Sequence, residues 1–170
     1  MKKYIILACC LLLVLLGTAN ASLTTIGTAT YSNWGYNLVY DDDGLTWFVY
    51  LTGTGTWANQ MNWASELVNN IASYNFNDGL SVTWSGNWRL ATKDELNSLY
   101  YDEFGFSNNQ GPSIEQYEAF GFTGNWRYYL WSSTEFPYNN TRAYYYSMGQ
   151  GFSQTYDKNT LIRTIAVRDG

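Results

Sequence analysis

The sequence predicts an α+β fold, a mainly antiparallel twisted sheet with two main helices and long loops. Three observations carry this. Alternating, Thr- and Tyr-rich strand patterns occupy both ends of the chain. Two segments with helical spacing and cap residues lie between them. The 8 Trp, 16 Tyr and 8 Phe among 170 residues supply core material in abundance.

The first 21 residues are set apart. Lys2 and Lys3 precede an apolar run from Tyr4 to Leu16, and Gly17-Thr18-Ala19-Asn20-Ala21 ends in the small-x-small pattern of a signal-peptidase site. The run is shorter than the roughly 20 residues a membrane span needs. The expectation is therefore a signal peptide, 1–21, and an exported mature form without a transmembrane segment. Periplasmic, extracellular and cell-surface destinations all remain open. What is left is one domain, 22–170, long enough for a real core and without a composition break.

The strands and helices follow in order. Leu23 to Tyr40 alternates as one or two strands, Asp41-Asp42-Asp43-Gly44 is a solvated turn, and 45–51 is another strand. Thr56 caps a helix whose apolar residues Trp57, Met61, Ala64, Val68, Ile71 and Ala72 fall on one face. A short strand-like stretch, 80–84, leads to "SGNWRLATKDEL", in which Thr92 and Glu95 match a capping box for a second helix from Lys93 to about Tyr100. Ser113 and Gln116 repeat that logic more weakly. Beyond Leu130 the chain is strand and turn, and Tyr144, Tyr146 and Met148 alternate with Tyr145 and Ser147 as a buried and a wet face.

Composition excludes several chemistries. Both cysteines, Cys9 and Cys10, lie in the leader, and there is no His. Ser-His-Asp and Cys-His catalysis and Cys/His zinc sites are therefore ruled out for the mature domain. The full chain carries a net charge of −5 and loses two lysines with the leader. That acidity and the lack of a basic stripe speak against nucleic acid.

The stretches "DDDGLTW" (41–47), the helix from Trp57, "GNWRLATKDEL" (86–96), "LWSSTEF" (130–136) and "RAYYYSMGQGFSQTYDK" with "AVRDG" occur in the order seen in one family. On them the chain resembles the Lcl C-terminal-domain-like family of exported bacterial proteins, over about Asp41 to Gly170. The resemblance implies a C-type-lectin-like fold, distantly related to the formylglycine-generating enzymes. It also implies that Trp88 and Leu90 enter the core while Arg89 pairs a carboxylate on the other side of its strand. Family members usually have Pro where this chain has Ala91, so the second helix must start on its capping box alone. The cysteines on which formylglycine generation depends are absent from the mature domain, and that activity is not carried over.

No catalytic residues, metal ligands or cofactor are expected. Asp41-Asp42-Asp43 offers oxygens that suit calcium, but not at EF-hand spacing, and the sugar-binding calcium motifs of lectins are absent. Glu135, Asp94, Glu95, Asp102 and Glu103 are not fixed as the carboxyl pair a glycosidase needs. What remains is binding. Tyr, Asn, Ser and Gly in the late loops suit a recognition surface, and the expected ligand-binding residues are Arg127, Tyr128, Tyr138, Asn139, Asn140, Tyr156 and Asp157. The expected partner is a glycan or a protein, and sulfated polysaccharides fit only if Arg127, Arg142, Lys158 and Arg163 share a face. A structural surface protein is the alternative, and a carbohydrate-active enzyme comes third.

Overall fold

The computed structural model of the chain describes residues 23–107, 118, 120, 121 and 128–170. The expected leader, the Ser113–Gln116 signal and Arg127 lie outside the described residues. A six-stranded sheet contains β1 (Thr24–Tyr31), β2 (Trp34–Tyr40), β3 (Leu45–Phe48), β4 (Ile71–Phe76), β5 (Ser85–Leu90) and β9 (Ala166–Asp169), in the order β4-β1-β2-β3-β9-β5. A three-stranded sheet holds β6 (Tyr129–Glu135), β7 (Arg142–Ser147) and β8 (Phe152–Asp157). All of these pairings are antiparallel. First and last strands thus share one sheet, as the α+β pattern requires.

The β1–β2 hairpin turns on Ser32 and Asn33, both at positive φ, the geometry whose twist matches that of the flanking strands. Along β2, β3 and β9, successive residues divide between two core clusters: Leu38, Phe48 and Ala166 face one, Val39, Trp47 and Val167 the other. Side chains alternate along a strand, so this sheet is covered on both faces. The helix α1 (Trp57–Asn70) buries Ala64 and Leu67 in the first cluster, while α2 (Lys93–Ser98) buries Leu96 in the second. Trp47, Trp88 and Trp131 are fully buried. Each such ring removes roughly 150–250 Å² from water, which at about 25 cal/mol per Å² is an upper figure of about 4–6 kcal/mol apiece.

The first helix departs from its predicted face. Its buried residues are Gln60, Ala64 and Leu67, and Val68 is exposed. Gln60 can occupy an inner position because its amide nitrogen donates to Gly53 O and Ile162 O, each at 2.8 Å. A buried amide with its donors engaged costs little, and the apolar periodicity is overridden. Nor do Ile71 and Ala72 extend the helix. Ile71 is already extended and begins β4, where it pairs with Tyr31. Residues 80–84 form no ladder.

At α2 the capping box is complete: Thr92 Oγ1 accepts from Glu95 N at 3.1 Å and the Glu95 carboxylate accepts from Thr92 N at 2.7 Å. The α-helix ends at Ser98 and continues as a π-helical turn, Leu99–Glu103, closed by Phe104 N donating to Leu99 O at 3.0 Å. In front of the box, Trp88 and Leu90 are buried and Trp88 Nε1 donates to the Tyr74 hydroxyl. Arg89 forks onto Glu95 with two bonds of 2.8 Å and reaches Asp169 at 2.7 Å. Glu95 above all, and Asp169, hold its pKa above the usual guanidinium value against the opposing effect of burial. One arginine therefore ties β5, α2 and β9 together.

Candidate functional site

The three-stranded sheet carries most of the residues singled out from sequence. On β6, β7 and β8, Tyr129, Tyr145 and Tyr156 form a continuous aromatic patch. Tyr145 and Tyr156 stack with centroids 4.6 Å apart and planes 13° off parallel, and Tyr129 packs on Tyr145 at 4.8 Å. The outer two are open, Tyr129 at 42% and Tyr156 at 38% exposure, over a buried Tyr145. Burial, then the neighbouring Tyr156 and Tyr129, push the Tyr145 phenol up to about 12, so it stays a neutral donor at physiological pH. Beside Tyr129 lies a cleft of about 310 Å³ lined by Ser147, Gly149 and Gln150.

At one end of the same sheet the β6–β7 turn and the segment after β8 meet. Arg142 pairs with Asp157 in register, and Lys158 N donates to Thr141 O at 2.9 Å. Tyr138, Asn139, Asn140 and Asp157 are thereby brought together, with Tyr138 87% exposed. Asn139 and Asp157 have a local task as well. Asn139 Oδ1 accepts from both Thr141 N and Thr141 Oγ1, and Asp157 Oδ1 accepts from Asn159 N, which are Asx-type turns. Tyr128 stands apart, half-buried with the Arg163 guanidinium 4.9 Å from its ring centre.

Two expectations about β7 need correction. Tyr144 is half-buried, against Phe136, whereas Tyr145 and Ser147, expected on a wet face, are buried. The reason is that both faces of this sheet are covered: Trp131, Ala143 and Tyr145 join one core cluster, Leu130, Tyr146 and Met148 the other. Tyr129 and Tyr145 were missed as site residues because alternation within one strand does not show which rings meet across three. The faint signal was Tyr129 two residues before the buried Trp131, hence on the same face.

Among the described residues, Arg142, Lys158 and Arg163 do not form a free patch. Arg142 bonds to Thr155, Lys158 Nζ pairs with Glu135 at 2.7 Å and lies 4.3 Å over the Trp57 ring, and Arg163 donates to Thr52 O at 2.9 Å.

The acidic turn is only partly solvated. Asp42 and Asp43 are exposed, but Asp41 is 1% exposed, accepting from Leu45 N at 2.7 Å and from Trp47 Nε1 at 2.6 Å. It acts as a brace at the start of β3. Carboxylate oxygens of Asp41, Asp43 and Glu103 lie within 4.8 Å of one another, the one group of described residues with the donors to hold a cation. Glu103 accepts from the Asp42 amide, while its Oε2 is sealed from solvent without a hydrogen-bond partner. Burial, followed by the charges of Asp41 and Asp42, pushes its pKa up to about 7. Neither described cleft is lined by Asp or Glu.

Comparison with known proteins yields one family. The model of the Lcl C-terminal domain matches residues 37–168. No curated protein matches the chain.

Proposed function

The chain belongs to the Lcl C-terminal domain family, and from that premise we propose that it is an exported, non-catalytic recognition or adhesion-type module. Its C-type-lectin-like scaffold presents the Tyr129–Tyr145–Tyr156 patch, together with Tyr138 and Asn140 at the end of the same sheet, to a glycan or protein ligand. The observation that carries this reading is the patch itself. Large aromatic rings kept partly in water forgo burial, and rigid tyrosines on a packed sheet give amphipathic contact area at small entropic cost.

Absence of catalysis is supported by the side chains present. With no His and no mature Cys, acid–base work falls to carboxylates, Lys, Tyr or a bound cation. Glu95 and Asp169 are tied to Arg89, and Glu135 to Lys158. Function follows from such sites and not from the fold alone.

A glycan array, run with hydrolysis assays on the retained sugars and followed by Tyr129→Ser and Tyr156→Ser variants, tests the proposal. Selective retention of at least one glycan without hydrolysis, lost for that glycan in both variants at unchanged melting temperature, is the expected result. Hydrolysis would point to the carbohydrate-active enzyme. Undiminished binding in the two variants would remove the patch from the interface.

A further inference from the structure

A second cleft, of about 270 Å³, shares no lining residue with the tyrosine patch. It opens where the segment after β3 crosses the start of α1. Tyr31, Tyr50 and Trp63 form its aromatic wall, and Thr54, Asn59 and Gln60 its polar side. We propose that this cleft binds a single neutral pyranose unit, free or at the end of a chain, by stacking on the aromatic wall and hydrogen bonding to Gln60 and Asn59.

The walls are built and rigid. Thr52 Oγ1 accepts from Thr164 N at 2.9 Å, and Arg163 donates to Thr52 O. Gly55 and Ile162 exchange two backbone bonds of 3.0 Å, and Gly55 O also accepts from Trp131 Nε1. Gln60 Nε2 closes the loop onto both Gly53 O and Ile162 O. Gly55 permits this approach, since a Cβ there would stand 3.1 Å from Gln60 Nε2. On the other wall, Trp63 Nε1 donates to the Tyr31 hydroxyl at 3.2 Å, and the Tyr50 ring packs 5.1 Å from Tyr31 and 5.9 Å from Trp63. A cleft held this way needs little ordering when it is filled.

Its chemistry selects the ligand. With both Gln60 donors engaged, the Gln60 carbonyl oxygen remains as an acceptor, and the Asn59 amide and Tyr50 hydroxyl make no hydrogen bond among the described residues. Hydroxyl groups match that mixture of donors and acceptors. The apolar C–H face of a sugar ring carries slight positive charge and meets the negative face of an aromatic ring. No Asp, Glu, Lys or Arg lines the cleft, so a charged sugar would lose water without a counter-charge. The volume of about 270 Å³ falls just below the roughly 300–1,000 Å³ of ligand sites, and so suits one ring rather than a chain.

Saturation-transfer NMR and tryptophan fluorescence with methyl glycosides of glucose, galactose, mannose and N-acetylglucosamine, alongside glucuronate and glucosamine 6-sulfate, test the assignment on the mature protein. At least one neutral glycoside should bind, and Asn59→Trp, which fills the cleft from an exposed helix position, should weaken it at least about tenfold. Trp63→Leu should do the same and Trp63→Phe less. Because Asn59 is an exposed residue, Asn59→Trp keeps the test valid if Trp63→Leu fails to fold. Tyr129→Ser, at a residue that does not line this cleft, should leave this binding unchanged. The assignment is overturned if no neutral glycoside binds, if the charged sugars bind as well, or if Asn59→Trp binds like the wild type.

Discussion

Glu103→Gln should stabilise the protein at alkaline pH and do nothing for it in acid. In the folded state the Glu103 carboxyl sits beside Asp41 and Asp43 with one oxygen sealed, and its pKa is raised from 4.5 to about 7. A native state that holds the proton more tightly than the unfolded chain loses stability as pH rises from about 4.5 to about 7, and the loss levels off above that. The rise from 4.5 to about 7, at about 1.36 kcal/mol per tenfold change in proton affinity, sets a ceiling of about 3.4 kcal/mol. Glu103 is only partly buried, so solvent screening reduces this to about 1–2 kcal/mol. The neutral amide can also donate to the neighbouring carboxylates. Thermal melts at pH 4.5 and pH 8 read the difference, which for a domain of this size is a gain of about 2–8 °C at pH 8 and none at pH 4.5. An equal gain at both values, or none at pH 8, would refute the reasoning, because only an ionised Glu103 carries the penalty.

Other expectations concern the seam, the helix start, one glycine and calcium. Arg89→Lys, which keeps the charge and loses the fork, should cost about 1–2 kcal/mol in urea denaturation; a cost below 0.3 would mean that the three contacts are ornamental. Thr92→Ala removes the acceptor for Glu95 N and should cost about 1 kcal/mol, with Thr92→Ser recovering most of it. Gly151→Ala should be worse than either, by about 2 kcal/mol or more, because φ is +72° and the new Cβ would stand 2.4 Å from the Tyr100 ring. Millimolar calcium at pH 7.5 should leave the melting temperature unchanged, consistent with no cofactor; a rise abolished by Asp43→Asn would show that the acidic trio is a metal site.

Local signals were legible wherever the chemistry was local. The Thr92–Glu95 box needs only residues three apart, and it starts α2 with a buried Ala91, not a proline, in front of it. Thr56 likewise caps α1, accepting from Asn59 N. The face of α1 was misread because Gln60 looked like a surface residue. Its partners, Gly53 and Ile162, include one 102 positions away, and no window of sequence reveals that satisfaction. The candidate surface was half legible. Turn residues such as Tyr138 and Asn140 announced themselves by composition, whereas the stacking of Tyr129, Tyr145 and Tyr156 depends on the register of three strands. The cleft at Trp63 was not legible at all, since its two walls come from opposite sides of a helix start.

By itself the sequence determined the class of fold, the family, the lack of imidazole chemistry, and the cap and seam residues, because periodicity, composition and short-range hydrogen bonding are written along the chain. Only the tertiary structure decided which aromatic rings stay in water, that Asp41 is a buried brace, and that Glu103 is pressed against other carboxylates. Those outcomes depend on which distant groups share a low-dielectric space. That is a property of packing, and it exists only once the strands have found their partners.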